Sequence, residues 1–272
     1  MQGIEKEPIQ PIDRPIFILG VGRSGTTHLG RLLSAHPDVG WLNEPKLMWN
    51  LIVPGEDVSG FYSKHGKFLL SASDVTPKVR ERAARAFSRY QRISRSRRVM
   101  DKYPEMTYRA EFIRELFPDA ILVAIIRRPE DFVNSVVEWN TVHGFADEDW
   151  WGVGRRKWTH IRQELAPMHE SVSQIIGSSS LSVAEMAASE WVLGMHHIYA
   201  NRTKLDIIVN YEELATNPVS EIMRIESTCQ LSPSRAVHEL ARATTSGRLR
   251  TDPADFGRLA DAVAEVRHQL DV

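Results

Sequence analysis

Short, nearly continuous apolar runs recur along the chain, and between them lie longer segments in which apolar residues return every three or four positions. The short runs cover residues 16–19, 39–42, 99–100, 120–126 and 207–209. Runs of this kind are typical of strands that are buried on both faces. Because they alternate with helical patterns, the sequence predicts a central parallel sheet with helices on both faces, a three-layer α/β/α fold.

Helix positions are indicated by the spacing of apolar residues and by capping residues. The amphipathic segments cover residues 108–117, 132–139, 186–199 and 255–270. Ser182 and Glu185 form a capping-box pattern ahead of the third segment. Asn217-Pro218 and Asp252-Pro253 each place a capping residue before a proline, so we expect a helix to begin at both prolines.

The length of the chain favours one domain. Its 272 residues, of which 42% are apolar, are enough to bury a sizeable core. We predict a single domain over residues 1–272. Its core covers residues 15–45, 98–142 and 184–272, and two helical insertions cover about 46–98 and 143–180.

Charge and cysteine content narrow the function classes. The net charge is −1, so no global electrostatic attraction to nucleic acid or membrane is expected. Cys229 is the only cysteine in the sequence, which suits a reducing compartment. The polar first fifteen residues lack a signal-peptide core, and no apolar stretch approaches the ~18 residues of a membrane span. We therefore expect a cytoplasmic protein without a nucleic-acid partner; its oligomeric state is not readable from the sequence.

One segment is strongly basic. Residues 78–98 carry nine Lys or Arg residues and one acid, Glu81. The segment is either a solvated helix face or a positive rim that attracts an anionic substrate. Apolar residues that include Ala83, Phe87 and Ile93 are predicted to give this helix a buried side.

Residues 20–27, Gly-Val-Gly-Arg-Ser-Gly-Thr-Thr, follow the first apolar run and precede a helical pattern. Gly20 and Gly25 have the spacing of a Walker-type phosphate loop, and Thr27 occupies its Ser/Thr position. Amides at the start of the helix, hydroxyl groups and an arginine would together bind an anion. The predicted contacts come from Gly22, Arg23, Ser24, Gly25, Thr26 and Thr27.

Thr26 stands where a nucleotide-hydrolysing loop has its lysine. That lysine normally contacts the outer phosphates, which Mg²⁺ bridges, so its absence argues against a kinase or NTPase. A donor with one terminal sulfonate needs less charge neutralisation. Two other interpretations stay open: a glycine turn that binds nothing, and a module that holds an adenine nucleotide without chemistry.

The loop, together with Ala35-His36-Pro37 and Glu44-Pro45, resembles the sulfotransferases that use 3′-phosphoadenosine 5′-phosphosulfate (PAPS). It is most similar to the branch that contains bacterial and tyrosylprotein sulfotransferases. The resemblance implies a P-loop-type fold, PAPS as co-substrate, no metal ion, and transfer of a sulfuryl group to a hydroxyl acceptor. A carbohydrate or a small molecule is the acceptor that we expect.

A second anion site is expected at Arg127 and Ser135. They match the family's 3′-phosphate motif, in which an arginine at a strand end is followed eight residues later by a serine. A strand would deliver Arg127 to its carboxyl edge, and a guanidinium holds a phosphate in bidentate fashion. The alternative is a salt bridge from Arg127 to Glu130 or Asp131, a role that Arg128 could take instead.

The resemblance also assigns the chemistry. Glu44 is the candidate base for the acceptor hydroxyl, and Lys102, with Arg23, would stabilise the transferring sulfonate and the leaving oxygen. Glu44 could instead be an exposed loop carboxylate, and Lys102 a surface lysine paired with its neighbour Asp101. His28 and His36 are rival bases.

Further nucleotide contacts are expected from the later part of the chain. Tyr211 lies in a Tyr-Glu-x-Leu block that would approach the nucleotide, although a packing role is equally compatible. Arg248 and Arg250 resemble a late basic segment that covers the 3′-phosphate. Trp191 could stack on adenine, but its helical stripe favours the core. Flat faces for the acceptor could come from Trp49, Phe61, Tyr62, Trp150 and Trp151, which could equally form local cores.

Overall fold

A computed structural model describes residues 11–144, 148–178, 180–244 and 252–271. Five strands form one sheet in the order β2-β3-β1-β4-β7, and every neighbouring pair runs parallel. All five apolar runs are strands, as predicted. A small antiparallel pair, β5 and β6, lies apart. The strands are β1 Ile16–Leu19, β2 Val39–Asn43, β3 Arg98–Lys102, β4 Ile121–Ile126, β5 Glu148–Asp149, β6 Gly152–Val153 and β7 Ile207–Asn210.

Helices fill most of the intervals between the strands in the described part of the chain. The longest are α3 and α8, each of 18 residues. No helix in the described ranges is long and apolar enough to cross a membrane. The α-helices are α1 Thr26–Leu33, α2 Lys46–Ile52, α3 Pro77–Ser94, α4 Ala110–Leu116, α5 Pro129–His143, α6 Arg156–His160, α7 Glu170–Ser178, α8 Val183–Ala200, α9 Tyr211–Thr216, α10 Pro218–Thr228, α11 Arg235–Ala243 and α12 Ala260–Leu270. Shorter helical turns cover Ala72–Asp74, Pro104–Tyr108, Ile161–Leu165, Ala166–Met168, Arg202–Lys204 and Gly257–Leu259.

The sheet separates two hydrophobic clusters, because successive side chains of a strand point to opposite faces. Phe17 of β1 belongs to the larger cluster, with residues of α2–α8 and α12. Ile16 and Ile18 belong to the other cluster, with residues of α1 and α9–α11. Helices therefore cover both faces, which confirms the predicted three-layer fold.

Local sequence signals fix most helix starts. Ser182 and Glu185 form the predicted capping box at the start of α8, and α10 begins at Pro218 as expected. The expected helix start at Asp252-Pro253 is wrong, because residues 252–256 are irregular. Asp255 Oδ1 accepts a hydrogen bond from the amide of Gly257, whose φ of 52° is left-handed, and this turn competes with a helix.

The carboxyl edge of the sheet gathers residues from all five strands. The phosphate loop follows β1, Glu44 follows β2, and Lys102 ends β3; Arg127 and Tyr211 follow β4 and β7. The parallel strands all end on this side, so these residues share one edge although they are distant in sequence. This edge is where ligands bind in open α/β sheets.

Candidate active site

The phosphate loop makes a tight turn into α1. Gly25 has a left-handed φ of 93°, and a Cβ atom there would lie 2.2 Å from Cδ2 of Tyr211. Glycine is therefore required both by the backbone and by the aromatic ring against it. The helix begins with Thr26, and Leu29 N donates to Gly25 O at 3.0 Å. The amides of the first turn precede this bond and have no intrahelical acceptor.

An unsatisfied hydroxyl lies in the same loop. Ser24 is fully buried, and within the described residues its Oγ has no hydrogen-bond partner. A buried donor without a partner is uncommon, and an anion in the loop would supply one. Thr27 is exposed beside it, whereas Thr26 is buried. The loop therefore fits a bound anionic group.

Glu44 and Lys102 form an ion pair next to this loop. Lys102 Nζ lies 2.5 Å from Glu44 Oε1, and the Glu44 amide donates to Lys102 O at 2.7 Å. The lysine side chain is 1% exposed and the carboxylate 40% exposed. The side chain of Lys102 is therefore buried beneath the ion pair, whereas the carboxylate of Glu44 faces solvent.

The alternative partner of Lys102, Asp101, is engaged elsewhere. Asp101 Oδ2 accepts a hydrogen bond from Trp49 Nε1 at 2.9 Å, deep in the core. Burial raises the pKa of Asp101 to about 7. Trp49 is itself completely buried, so of the two roles left open for it, a face for the acceptor or a local core, it has the second.

A cleft of about 290 Å³ joins the phosphate loop to Glu44. Its walls mix aromatic rings with charged groups. The cleft is lined by Gly22, Arg23, Thr26, Thr27, Glu44, Lys46, Ser59, Phe61, Pro104, Glu105, Trp139, Glu148, Asp149, Trp150, Trp151, Gly152 and Lys157. We call it the reaction cleft.

Glu105 and Lys157 line this cleft and were not anticipated from the sequence, and neither was Glu190, the partner of Lys157. Lys157 Nζ lies 2.7 Å from Glu190 Oε1, and Glu190 Oε2 accepts hydrogen bonds from the indole nitrogens of Trp150 and Trp151 at 3.0 and 2.9 Å. Burial alone would lower the pKa of Lys157, but the negative charges of Glu190 and Glu105 outweigh it and the pKa is raised.

Glu105 is the most unusual of the three. It is 6% exposed, and its Oε2 has no hydrogen-bond partner in the described part of the chain. A sequence signal existed, because Glu105 follows Lys102 by three residues on the same strand-end loop. The sequence carried no such signal for Lys157 and Glu190, since they lie on separate helices, α6 and α8, far along the chain.

Arg23, Ser135, Arg127 and Tyr211 meet on the other side of the loop. Arg23 Nε donates to Ser135 Oγ at 2.9 Å, and Arg127 Nη1 donates to the carbonyl of Arg23 at 2.8 Å. The Arg127 guanidinium carbon lies 4.5 Å from the centre of the Tyr211 ring. The structure therefore brings together the residues predicted for the second anion site, and it links Ser135 directly to Arg23 rather than to Arg127.

The salt bridge considered as an alternative role for Arg127 is made mainly by its neighbour, Arg128. Arg128 lies 3.2 Å from Asp131 Oδ2 and 3.5 Å from Glu212 Oε1, whereas Arg127 Nε approaches Asp131 only to 3.9 Å. Arg127 Nε is buried and has no hydrogen-bond partner among the described residues.

Other candidate residues have different surroundings. Trp191 is fully buried and donates to Arg127 O at 2.8 Å, as its helical stripe suggested. His36 contacts Ser232 O at 2.9 Å and accepts from Asp38 N at 3.1 Å, so its ring is occupied away from the cleft. Arg248 and Arg250 lie outside the described residues.

His28, the other rival base, packs against an aromatic ring. Its ring centre lies 6.5 Å from that of Tyr211, and it is not among the residues that line the reaction cleft. Burial lowers its pKa, and the charge of Arg31 adds to this effect. Of the predicted bases, Glu44 is the one that the structure places in the cleft.

Comparisons with known proteins identify the fold and the family. A sulfotransferase domain from an olefin synthase of Synechococcus PCC 7002 superposes with a TM-score of 0.58 at 17% identity, covering 98% of both chains. The fold is thus a sulfotransferase α/β fold. A model of the Sulfotransferase family matches residues 15–175, more than half of the sequence. The chain belongs to the Sulfotransferase family.

Two relatives are similar in sequence. The nodulation protein NoeE of Sinorhizobium fredii is 24% identical over 237 residues, which is 84% of this chain and 53% of that protein. Protein-tyrosine sulfotransferase A of Caenorhabditis elegans is 30% identical over 165 residues, 58% of this chain and 42% of that protein. The chain thus spans about half the length of these relatives.

Proposed function

We propose that the chain is a sulfotransferase that moves a sulfuryl group from PAPS to a hydroxyl of a carbohydrate or small-molecule acceptor. The observation that carries this proposal is the Glu44–Lys102 ion pair, 2.5 Å long, whose carboxylate lines the same cleft as the phosphate loop. An anion-binding loop, a solvent-facing carboxylate and a buried ammonium group are together the components that sulfuryl transfer requires.

In the proposed reaction, the acceptor oxygen attacks sulfur in line with the bond to the 5′-phosphate. A new S–O bond forms, the bond from sulfur to the phosphate oxygen breaks, and the hydroxyl proton passes to Glu44. Adenosine 3′,5′-bisphosphate leaves with the electron pair. Lys102 and Arg23 would offset the charge that grows on the sulfonate and leaving oxygens. As written, no step needs a metal ion.

The donor would lie across the phosphate loop. Its 5′-phosphosulfate would accept from the amides at Gly25 and from the unsatisfied Ser24 hydroxyl. Its 3′-phosphate would accept from Arg127 and from the Ser135 hydroxyl, beside the Tyr211 ring. By resemblance to the family, Arg248 and Arg250 would complete this site.

The acceptor would occupy the reaction cleft. Trp150 lies over Gly22, where a Cβ atom would approach its ring to 2.7 Å, and Lys157 lies 5.4 Å from the centre of that ring. Phe61, which is 67% exposed, lines the same cleft. Aromatic faces combined with carboxylates are compatible with a compound that carries several hydroxyl groups.

Thermal stabilisation by nucleotides tests the donor. We expect adenosine 3′,5′-bisphosphate to raise the unfolding temperature, with no effect of a chelator, and Mg·ATP to leave it nearly unchanged. A non-catalytic module would show the same shift but would transfer no labelled sulfuryl group to any hydroxyl in an acceptor screen. Stabilisation by Mg·ATP alone would favour the kinase or NTPase interpretation and overturn the proposal.

A further inference from the structure

Helices α2 and α3 expose an unusual amount of apolar surface. Leu51 of α2 is 63% exposed and Ile93 of α3 is 69% exposed, and Leu47 is half exposed. The expectation that Ile93 lies on the buried side of its helix is therefore wrong, whereas Ala83 and Phe87 are buried as expected. A contiguous exposed apolar patch of this kind commonly marks a binding site.

These side chains line a single groove of about 630 Å³. The groove is mostly apolar, with two tyrosines and a few charged groups along its edges. It is lined by Glu44, Pro45, Lys46, Leu47, Met48, Leu51, Tyr62, Ala86, Arg89, Tyr90 and Ile93. This volume and this lining match small-molecule sites, which measure about 300–1,000 Å³. We call it the α2–α3 groove.

The groove adjoins the reaction cleft. Glu44 and Lys46 line both spaces. Phe61 lines the cleft and its neighbour Tyr62 lines the groove, with ring centres 6.5 Å apart. Lys46 Nζ lies 5.8 Å from the centre of the Phe61 ring, at the junction. The candidate base therefore stands where the polar cleft meets the apolar groove.

We infer that the acceptor is an amphiphile, a hydroxyl compound whose hydrocarbon chain lies in the α2–α3 groove while its hydroxyl reaches Glu44. This inference rests on the proposed function and specifies its acceptor class. A hydrocarbon chain gains by leaving water for an apolar groove. A protein partner is a poorer match, because stable interfaces use roughly 20–30 residues a side, far more than line this groove.

Photolabelling tests the groove without assuming the rest of the acceptor. The probe is a twelve-carbon primary alcohol with a diazirine near its far end, added to protein saturated with adenosine 3′,5′-bisphosphate. Peptides carrying the label are mapped by mass spectrometry. We expect the label on residues 44–51 and 86–93, displaced by 1-decanol and not by 1-butanol at equal concentration. Labels spread over other surfaces would overturn the inference.

Two variants place a charge in the groove without touching the core. Leu51→Glu and Ile93→Glu should each reduce labelling about tenfold or more, because the chain would meet a carboxylate. Met223→Glu is the matched control, since Met223 is 51% exposed on α10 and lines neither space; it should label like the parent. Equal labelling in all three variants would refute the groove as the site.

Transfer to simple alcohols gives a second readout. Each added methylene in the groove should raise kcat/KM by up to about fourfold, so 1-octanol should exceed 1-butanol by at least tenfold in the parent. Leu51→Glu should flatten this series, whereas Met223→Glu should leave it as steep as in the parent. A flat series in the parent would count against the groove, as would a series that stays equally steep in both groove variants.

The inference and the proposed function fail in different ways. If bisphosphate stabilises the protein but the groove is not labelled, the acceptor class is wrong and the proposed function stands. If bisphosphate gives no stabilisation, the proposed function fails whatever the probe labels, and the groove is not an acceptor site. A dimer that Leu51→Glu dissociates, with no labelled groove, would assign the groove to a second copy of the chain and overturn the inference.

Discussion

Cations on the two sides of the phosphate loop have different partners. On the proposed donor side, Arg127 donates to a backbone carbonyl and lies over the Tyr211 ring, and the nearest carboxylate oxygen to it is 3.9 Å away. On the proposed acceptor side, Lys102 and Lys157 are each within 2.7 Å of a carboxylate. A cation that rests on neutral groups keeps its charge for an incoming anion, whereas a cation paired with a carboxylate orients that carboxylate.

The difference suggests a division of labour. On the arginine side, the carboxylate next to Arg127 approaches no closer than 3.9 Å, which leaves its positive charge available to a phosphate. The lysine side is close to electrically balanced, which suits proton transfer and a neutral hydroxyl compound. A change on one side should therefore leave the function of the other side nearly intact.

Glu44→Gln should have the largest effect. The amide keeps the shape and still accepts from Lys102, but it cannot take a proton, so turnover should fall by about 10²- to 10⁴-fold. Affinity for adenosine 3′,5′-bisphosphate should stay within about twofold, measured by calorimetry. Glu148→Gln, an exposed carboxylate in the same cleft, is the control and should retain activity. Unchanged turnover in Glu44→Gln would remove Glu44 as the base.

Arg127→Ala should act on the donor side alone. Loss of a charge-assisted contact worth about 1.5–3 kcal/mol predicts roughly 10- to 100-fold weaker binding of the bisphosphate. Adenosine 5′-phosphosulfate, which lacks the 3′-phosphate, should bind almost as before. Arg128→Ala is the neighbouring control, because Arg128 is held by Asp131 and Glu212. Equal weakening of both ligands would mean that Arg127 does not recognise the 3′-phosphate.

Glu105→Gln should have a smaller effect, confined to the acceptor. Glu105 lines the cleft and its Oε2 has no hydrogen-bond partner among the described residues, so removing its charge should weaken acceptor binding and raise the acceptor KM about tenfold. Turnover at saturating acceptor should change little, in contrast to Glu44→Gln. If Glu105→Gln instead lowers kcat as strongly as Glu44→Gln does, the two carboxylates share the proton transfer.

The sequence was sufficient to predict the sheet and the residues that lie close together along its carboxyl edge. Five apolar runs identified five strands, and parallel strands must end on one side, so Glu44 and Lys102 were expected near the phosphate loop. The predicted helix start at Asp252-Pro253 was wrong, because the side chain of Asp255 accepts a hydrogen bond from the amide of Gly257 and favours a turn.

Contacts that depend on side-chain direction could not be predicted. Arg23 and Ser135 are 112 positions apart, and their hydrogen bond is set by how α5 packs beside the loop. Lys157 and Glu190 meet only because α6 and α8 pack together. The exposure of Ile93 was equally hidden, since apolar spacing on a helix does not say whether a neighbour covers that stripe.

Asp101→Asn should have the smallest effect on activity, and it tests whether a second carboxylate shares the charge of Lys102. Burial raises the pKa of Asp101 to about 7, above the ordinary 3.8 of the unfolded chain. A raised folded-state pKa means that the stabilising contribution is complete below about pH 3.8 and is lost as the pH rises through about 7. Asparagine does not ionise and still accepts from Trp49. The parent should therefore lose stability relative to Asp101→Asn between pH 4 and 8.

Urea unfolding across this pH range measures the difference in unfolding free energy between the parent and Asp101→Asn. The titrations of all other groups are common to both proteins and cancel in this difference. Asp261→Asn, at an exposed position on α12, should show a constant difference from its parent. A constant difference for Asp101→Asn as well would mean that Asp101 is ionised throughout. Lys102 would then be shared between two carboxylates, and its hold on Glu44 would be weaker than the 2.5 Å contact implies. A neutral Asp101 leaves Glu44 as the carboxylate that balances Lys102, which is the arrangement that the contrast between the two sides of the loop requires.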